Sequence, residues 1–414
     1  MRNCLCLFLC VLLLCCCSQQ KGDPTVPQVE NFRLELSEPS IVVQGEVGDD
    51  TWGHYQFPEL YTTEEGYIVA QWQYGTDSIT YDDILGRKVS TDGGKTWQSG
   101  VEYTINDYPT MKNGKQFLGF VRKGGHLVDS SFFAGAKGYP TENGYTLYFR
   151  DDLPKNEDTV AIAQERDPKT GEVTTFEVTV NWPNAPINVY PDGMIYPFVQ
   201  YFALSNESIL AVGDTLYKAV YCRGFDAEAK NREDAVKAVC NYQNVYVFRS
   251  DDCGRTWDYQ SQVLSAGRFS GDINGFSEPW MTLMPDCSVV MLMRTGNKAP
   301  SYMVRSTDGC RTWTEPKIFD SIGVKPVTVT LACGVTIASY GRPELRIRAT
   351  SDPTGQTWKT SVGWDEPNKS CFYTDLIALD AYSALIIYTD FQYPNDDGVP
   401  VKTVLTRIIR VVPR

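Results

Sequence analysis

The residues able to do chemistry fall at repeated positions in this chain. Glu278 sits in Gly275-Phe276-Ser277-Glu278-Pro279-Trp280, which runs through Leu283-Met284-Pro285-Asp286 into an apolar strand ending at Arg294. Arg342 closes a second such strand in Tyr340-Gly341-Arg342-Pro343. Tyr373 opens a third in Cys371-Phe372-Tyr373-Thr374-Asp375-Leu376. Taken singly, each has an ordinary explanation: a strand-start tyrosine packs, a glutamate before proline caps a turn, and a strand-end arginine is solvated. Taken together, they occupy equivalent edges of a repeat, where inner strands open onto a common axis. That shared placement makes them candidates.

The rest of the composition narrows the chemistry. Six of the 13 cysteines fall within the first 17 residues, and the seven beyond them (Cys222, Cys240, Cys253, Cys287, Cys310, Cys333, Cys371) form no CxxC pair. With two histidines in the chain, His54 and His126, no metal site is expected. The scattered thiols do not make a disulfide framework, although Cys222 with Cys240 is a permissible bridge. Lys and Arg number 38 against 51 Asp and Glu, a formal net charge of −13. Phosphate backbones need clustered cations, so nucleic acid is not an expected partner. A local pocket can still be basic. No cofactor is expected.

Two repeats must position the candidates. The first is Ser-x-Asp-x-Gly-x-Thr-Trp, or Ser-x-Asp-x-x-x-Thr-Trp where Gly is displaced: Ser90–Trp97, Ser250–Trp257 and Ser306–Trp313. A worn copy is Ser351–Trp358, with Pro353 where Asp belongs. Ser and Asp side chains bond the backbone of a tight turn, Gly takes a positive φ, and Trp packs between flanking strands. Such Asp-rich turns mimic a calcium loop, but the closing Glu and the 12-residue ligand spacing are absent. The second repeat is a turn followed by a β-rich run. Its turns are Glu65-Gly66, Asn143-Gly144, Asn206-Glu207, Asp286-Cys287, Cys333-Gly334 and Asp380-Ala381. Their spacing suits four-stranded blades, so the expected fold class is all-β, a six-bladed β-propeller. Asp226–Val239 is expected to form one short helix in a loop. A propeller closes on itself, so Val401–Val412 is expected to pair near Ile41–Gln44.

The N-terminus reads as a signal peptide: Arg2, an apolar run from Cys4 to Leu14, then Leu14-Cys15-Cys16-Cys17-Ser18. This resembles a bacterial lipobox, which implies lipidation at Cys17 or Cys16 and an address at the outer membrane or cell surface, or in the periplasm. The expected domains are a signal peptide at 1–17, a polar tether at 18–40 and the propeller at 41–414.

Asp boxes on a six-bladed pattern resemble the non-viral exo-sialidases, over roughly residues 40–412. In that family the Asp boxes are peripheral and do no catalysis. The resemblance implies retaining cleavage through a tyrosine nucleophile, because a carboxylate nucleophile would be repelled by the sugar's own carboxylate. It casts Tyr373 as nucleophile, Glu278 as its base, and Arg294 and Arg342 as two of three arginines that clamp the substrate carboxylate. The family's opening Tyr-Arg-Ile-Pro stands here as Tyr55-Gln56-Phe57-Pro58, so Gln56 replaces the first clamp arginine and a full charge is lost. The acid is sought among Asp77, Asp82 and Asp83, with Asp77 favoured, while Trp52 and His54 can add a stacking face or a hydrogen bond. The implied activity is that of an exo-acting retaining glycoside hydrolase for a terminal sialic acid or related acidic sugar, acting as a monomer on glycans. Two other readings stand beside it: a sialidase-fold hydrolase for a different glycan, and a non-catalytic glycan-binding propeller.

Overall fold

The computed structural model describes residues 25–75, 84–204, 208–239, 242–263, 273–296, 299–363 and 370–414. Antiparallel meanders follow one another along the chain. Gln56–Thr62, Ile68–Gln73 and Leu85–Ser90 form the first. Gln116–Phe120, Ala161–Arg166 and Val173–Asn181 form the next. Then come Leu210–Val212, Thr215–Arg223, Gln243–Ser250 and Thr256–Val263. Ile273–Leu283, Val289–Gly296, Ser301–Ser306 and Lys317–Asp320 follow, and then Val324–Thr330, Thr336–Gly341, Arg346–Thr350 and Thr360–Gly363. The last is Thr374–Asp380, Ser383–Pro394 and Pro400–Pro413.

The core lies between these sheets. Phe117 and Phe120 pack with Phe248 and Trp257, Val247 with Phe276 and Met291, Leu292 with Ala338 and Trp358, and Ile337 with Leu376 and Ile386. A further cluster joins Leu60 and Ala70 of the first meander to Leu385 and Val404 of the last. Meanders packed face to face, with the last returning to the first, make a β-propeller. Ser40–Gln44 pairs with the final strand, Ile41 opposite Leu405 and Gln44 opposite Thr403, as closure requires.

Closure reaches further back than the sequence suggests. Phe32–Leu36 also pairs along the final strand, from Phe32 opposite Pro413 to Leu36 opposite Ile409. Val29 and Phe32 are buried in the adjoining core. The second half of the expected tether is therefore part of the sheet. Its Phe-Arg-Leu-Glu-Leu alternation is a strand pattern that the flanking Pro24, Pro27 and Pro39 obscure.

The Asp boxes build tight knots. In the first, the Asp92 carboxylate accepts the N–H groups of Lys95 and Thr96 at 3.1 and 3.0 Å and the Thr96 hydroxyl at 2.7 Å. Ser90 Oγ accepts the Gly94 N–H at 2.8 Å. Each knot docks on the preceding sheet: a Cβ at Gly94 would stand 2.7 Å from Leu385, and one at Gly254 would stand 2.4 Å from Phe117. Trp97 donates to Thr406 at 3.3 Å and Trp313 to Ser261 at 2.9 Å, while Trp257 is fully buried. The fourth box is intact in a different register. Asp352 supplies the carboxylate, accepting Thr357 N–H at 3.0 Å and Thr357 Oγ1 at 2.7 Å, and Thr350 takes the serine's place. One extra residue before Gly355 displaces the pattern, so Pro353 does not stand where Asp belongs.

The Asn143-Gly144 hairpin belongs to an inserted sheet and not to the meander series. That sheet comprises His126–Leu127, Tyr139–Pro140, Thr146–Phe149, Pro186–Val189 and Met194–Ile195. The corresponding turn of the meander is Asn113-Gly114, with Met111 N–H bonded to Lys115 O at 2.8 Å. Asn206-Glu207 lies outside the described residues, and the expected helix spans Arg232–Val239. Cys222 is a free, buried thiol, so the Cys222–Cys240 bridge does not form.

Candidate active site

Three inner strands share a local break. The pairing register shifts between Gln56 and Glu59, between Ser277 and Trp280, and between Val324 and Val327. At each break a residue before proline takes a left-handed backbone: Phe57 (φ 52°), Glu278 (φ 45°) and Lys325 (φ 44°). Non-glycine residues with such angles carry about 1–3 kcal/mol of strain each and cluster at functional sites. Arg342 (φ 67°) and Phe372 (φ 62°), beside Tyr373, share this backbone.

The strained positions bring the chemistry together. Tyr373 Oη donates to Glu278 Oε1 at 2.5 Å. Arg294, opposite Ser277 on the neighbouring strand, donates one nitrogen to the same oxygen at 2.5 Å and lies 3.3 Å from Tyr373 Oη. The backbone N–H of Lys325 satisfies Glu278 Oε2 at 2.8 Å. Arg342 is anchored on the Cys371 carbonyl at 2.9 Å. The Phe57 ring stands edge-on to Tyr373, centroids 4.8 Å apart, and Trp52, 47% exposed, packs against Phe57 at 6.1 Å.

The electrostatics fix the proton. Burial alone would raise the Glu278 carboxyl, but the Arg294 guanidinium, the Tyr373 hydroxyl and Lys325 hold it below the usual carboxylate range. Burial, then the Glu278 charge, pushes the Tyr373 phenol well above its ordinary value. The resting pair is thus a carboxylate accepting from a phenol, poised to take its proton when Tyr373 bonds to an electrophile. Burial and then the nearby Arg294 charge draw the Arg342 guanidinium down. Arg294 is already paired with Glu278, and both guanidiniums carry donors that can bond an anion.

The remaining sequence candidates fare differently. Gln56 is fully buried, and both of its amide atoms lack a hydrogen-bond partner among the described residues. It does not form the rim, because the register break turns Phe57 toward Tyr373 and leaves Gln56 sealed within the sheet. Asp77, Asp82 and Asp83 lie outside the described residues. His54 is engaged with Asp49 at 2.9 Å and stacks on Tyr74. Sequence reasoning missed Lys325 and Phe57. Their signal was the recurrence of a residue before proline in Phe57-Pro58, Glu278-Pro279 and Lys325-Pro326. Among the described residues no cluster of His, Cys, Asp and Glu could hold a metal ion.

Residues 236–385 match the BNR repeat-like domain. No curated protein matches the chain. Among solved structures, a Dyadobacter fermentans protein of unknown function is 17% identical, with 91% of this chain and 99% of that one covered at a TM-score of 0.60. A Hadza microbial sialidase is 15% identical, covering 91% of this chain and 68% of its own, TM-score 0.47. An α-L-arabinofuranosidase from Fusarium graminearum is 14% identical, covering 91% and 98%, TM-score 0.47. The fold is thus shared with a known structure, and the BNR repeat is present in this chain.

Proposed function

We propose that this chain is a retaining glycoside hydrolase of sialidase type, on six blades, that removes a terminal acidic sugar from glycans. The observation that carries the reading is the 2.5 Å contact between Tyr373 and Glu278, with Arg294 bonded to the carboxylate. A propeller that only bound glycans would have no need of a phenol and a carboxylate sharing a proton.

In this reading Tyr373 Oη bonds to the anomeric carbon as the glycosidic C–O bond breaks, and its proton passes to Glu278 Oε1. The leaving oxygen takes a proton from Asp77, the acid assigned by resemblance. Water then bonds to the anomeric carbon, gives its proton to Asp77, and displaces Tyr373, which recovers its own from Glu278. Two inversions give net retention. Arg294 and Arg342 hold the sugar carboxylate, and charge-assisted bonds of this kind are about twice as strong as neutral ones. With Gln56 sealed and Phe57 at the rim, the clamp has one guanidinium fewer than the family pattern. This favours, as a second reading, a sialidase-fold hydrolase for a different glycan.

The test is turnover on a panel of released glycans, with products identified by mass. Tyr373→Phe should lower turnover by orders of magnitude while melting within a few degrees of the parent. Near-normal turnover would remove the tyrosine mechanism. We also propose lipidation at Cys17 or Cys16 and placement at the outer membrane, cell surface or periplasm. Palmitate labelling of the protein expressed with its own N-terminus tests this, and an unlabelled, freely soluble product would reject it.

A further inference from the structure

The inserted sheet forms a pocket that the proposed reaction does not use. Its cavity of about 190 Å³ lies between that sheet, the short helix Phe198–Ala203 and the end of strand Thr215–Arg223. The walls are rings: Tyr145 and Tyr190 have centroids 5.0 Å apart, Tyr190 and Tyr196 5.1 Å, and the Arg223 guanidinium lies 4.0 Å over Tyr145. At about 30 Å³ per water, the cavity holds on the order of six waters, or one ring-sized solute.

Two polar groups in the wall are unfinished. Asn188 is 5% exposed. Its Nδ2 donates to Tyr201 Oη at 2.8 Å and to the Arg223 carbonyl at 2.9 Å, which fixes the amide orientation. Its Oδ1 has no hydrogen-bond partner among the described residues, nor has Arg223 Nε. Leaving such groups buried and unmatched costs about 1–3 kcal/mol each, which a ligand bearing both a donor and an acceptor would recover. Among the described residues no carboxylate lines the cavity. Flat aromatic faces, one acceptor and one donor match a pyranose ring, with C–H faces to stack and hydroxyls to satisfy both groups.

The pocket adjoins the candidate active site. Tyr221 lines it and packs against the core cluster that holds Phe276, two residues before Glu278, and the strand Thr215–Arg223 contacts the strand Ile273–Leu283 that carries that glutamate. We infer that this tyrosine-walled pocket is a subsite for the sugar next to the one released, on the leaving-group side, so that the chain selects glycans by their penultimate ring. This rests on the proposed function for which bond is cleaved, and not for the binding itself.

The experiment is direct affinity measurement on an array of oligosaccharides and of the methyl glycosides of their terminal sugars, with the Tyr373→Phe protein as the reference. Adding Tyr145→Ala should weaken oligosaccharide binding about tenfold, equivalent to about 1.4 kcal/mol, and leave the methyl glycosides unchanged. Arg223→Met, which keeps an apolar stem but removes the guanidinium over Tyr145 and its donor, should act in the same direction if Tyr145→Ala fails to fold. Equal losses on both ligand classes, no loss on either, or no glycan bound at all would overturn the subsite. Oligosaccharide binding with the predicted losses, but no turnover by the parent protein on any of them, would instead sink the reaction and leave the subsite standing.

Discussion

Glu278 does two jobs that oppose each other: it must be ionised to receive the Tyr373 proton, yet it is nearly buried. Burial is the largest single influence, and Arg294, the Tyr373 hydroxyl and Lys325 together overcome it. Because the Arg294 charge helps hold the carboxyl down, the acid limb of the pH dependence of kcat/KM should move to higher pH in Arg294→Met. Lys325→Met should move it in the same direction by less. An unmoved limb in both variants would show that the limb belongs to another group. Glu278→Gln keeps the shape and removes the base, so turnover should fall by about 10²–10⁴-fold. At this scale the sequence was legible where residues recur at blade edges, which is how Glu278, Arg294, Arg342 and Tyr373 were found. It was not legible where the backbone turns left-handed before proline. The family pattern places Gln56 at the clamp, but with the break at Phe57 that side chain lies in the interior.

The Asp boxes govern stability at the scale of the element. Trp257 is wholly buried where two sheets meet, so Trp257→Ala should cost about 3–5 kcal/mol in denaturant unfolding, as large aromatic truncations do. A loss under 1 kcal/mol would mean the sheets do not depend on this contact. The knots are also acid-sensitive. The Thr96 hydroxyl first, with backbone N–H groups, draws the Asp92 carboxyl down to about 2. Its contribution is complete above the unfolded value of about 3.9 and is lost as pH falls toward 2. Melting temperature should therefore decline through that window, and less steeply in Asp92→Asn, where the group no longer titrates. Three boxes were plain in the sequence because their spacing is fixed. The fourth was misaligned because one inserted residue moves its carboxylate to Asp352 without changing what it bonds. The Asn143-Gly144 turn was read as part of a blade because a hairpin's local signal is the same in an insertion.

The whole molecule depends on closure. The final strand, Pro400–Pro413, carries Phe32–Leu36 and Ser40–Gln44 along its outer edge, so the start of the chain protects what would otherwise be an open strand. Closure onto Ser40–Gln44 was legible from the need of a propeller to close, but the pairing of Phe32–Leu36 was not, because Phe32 and Pro413 lie 381 residues apart and leave no local trace of each other. The ring in turn holds Tyr373 from one sheet against Glu278 and Arg294 from another, and the central claim is that this contact makes Tyr373 a nucleophile. Its most direct test is to react the protein with an activated fluorinated analogue of its substrate sugar, which slows breakdown of a covalent intermediate, and to map the modified peptide by mass spectrometry. A single glycosyl adduct on Tyr373, absent from Tyr373→Phe, is the predicted result. Turnover of the parent substrate with no adduct, or with the adduct on a carboxylate, would contradict it.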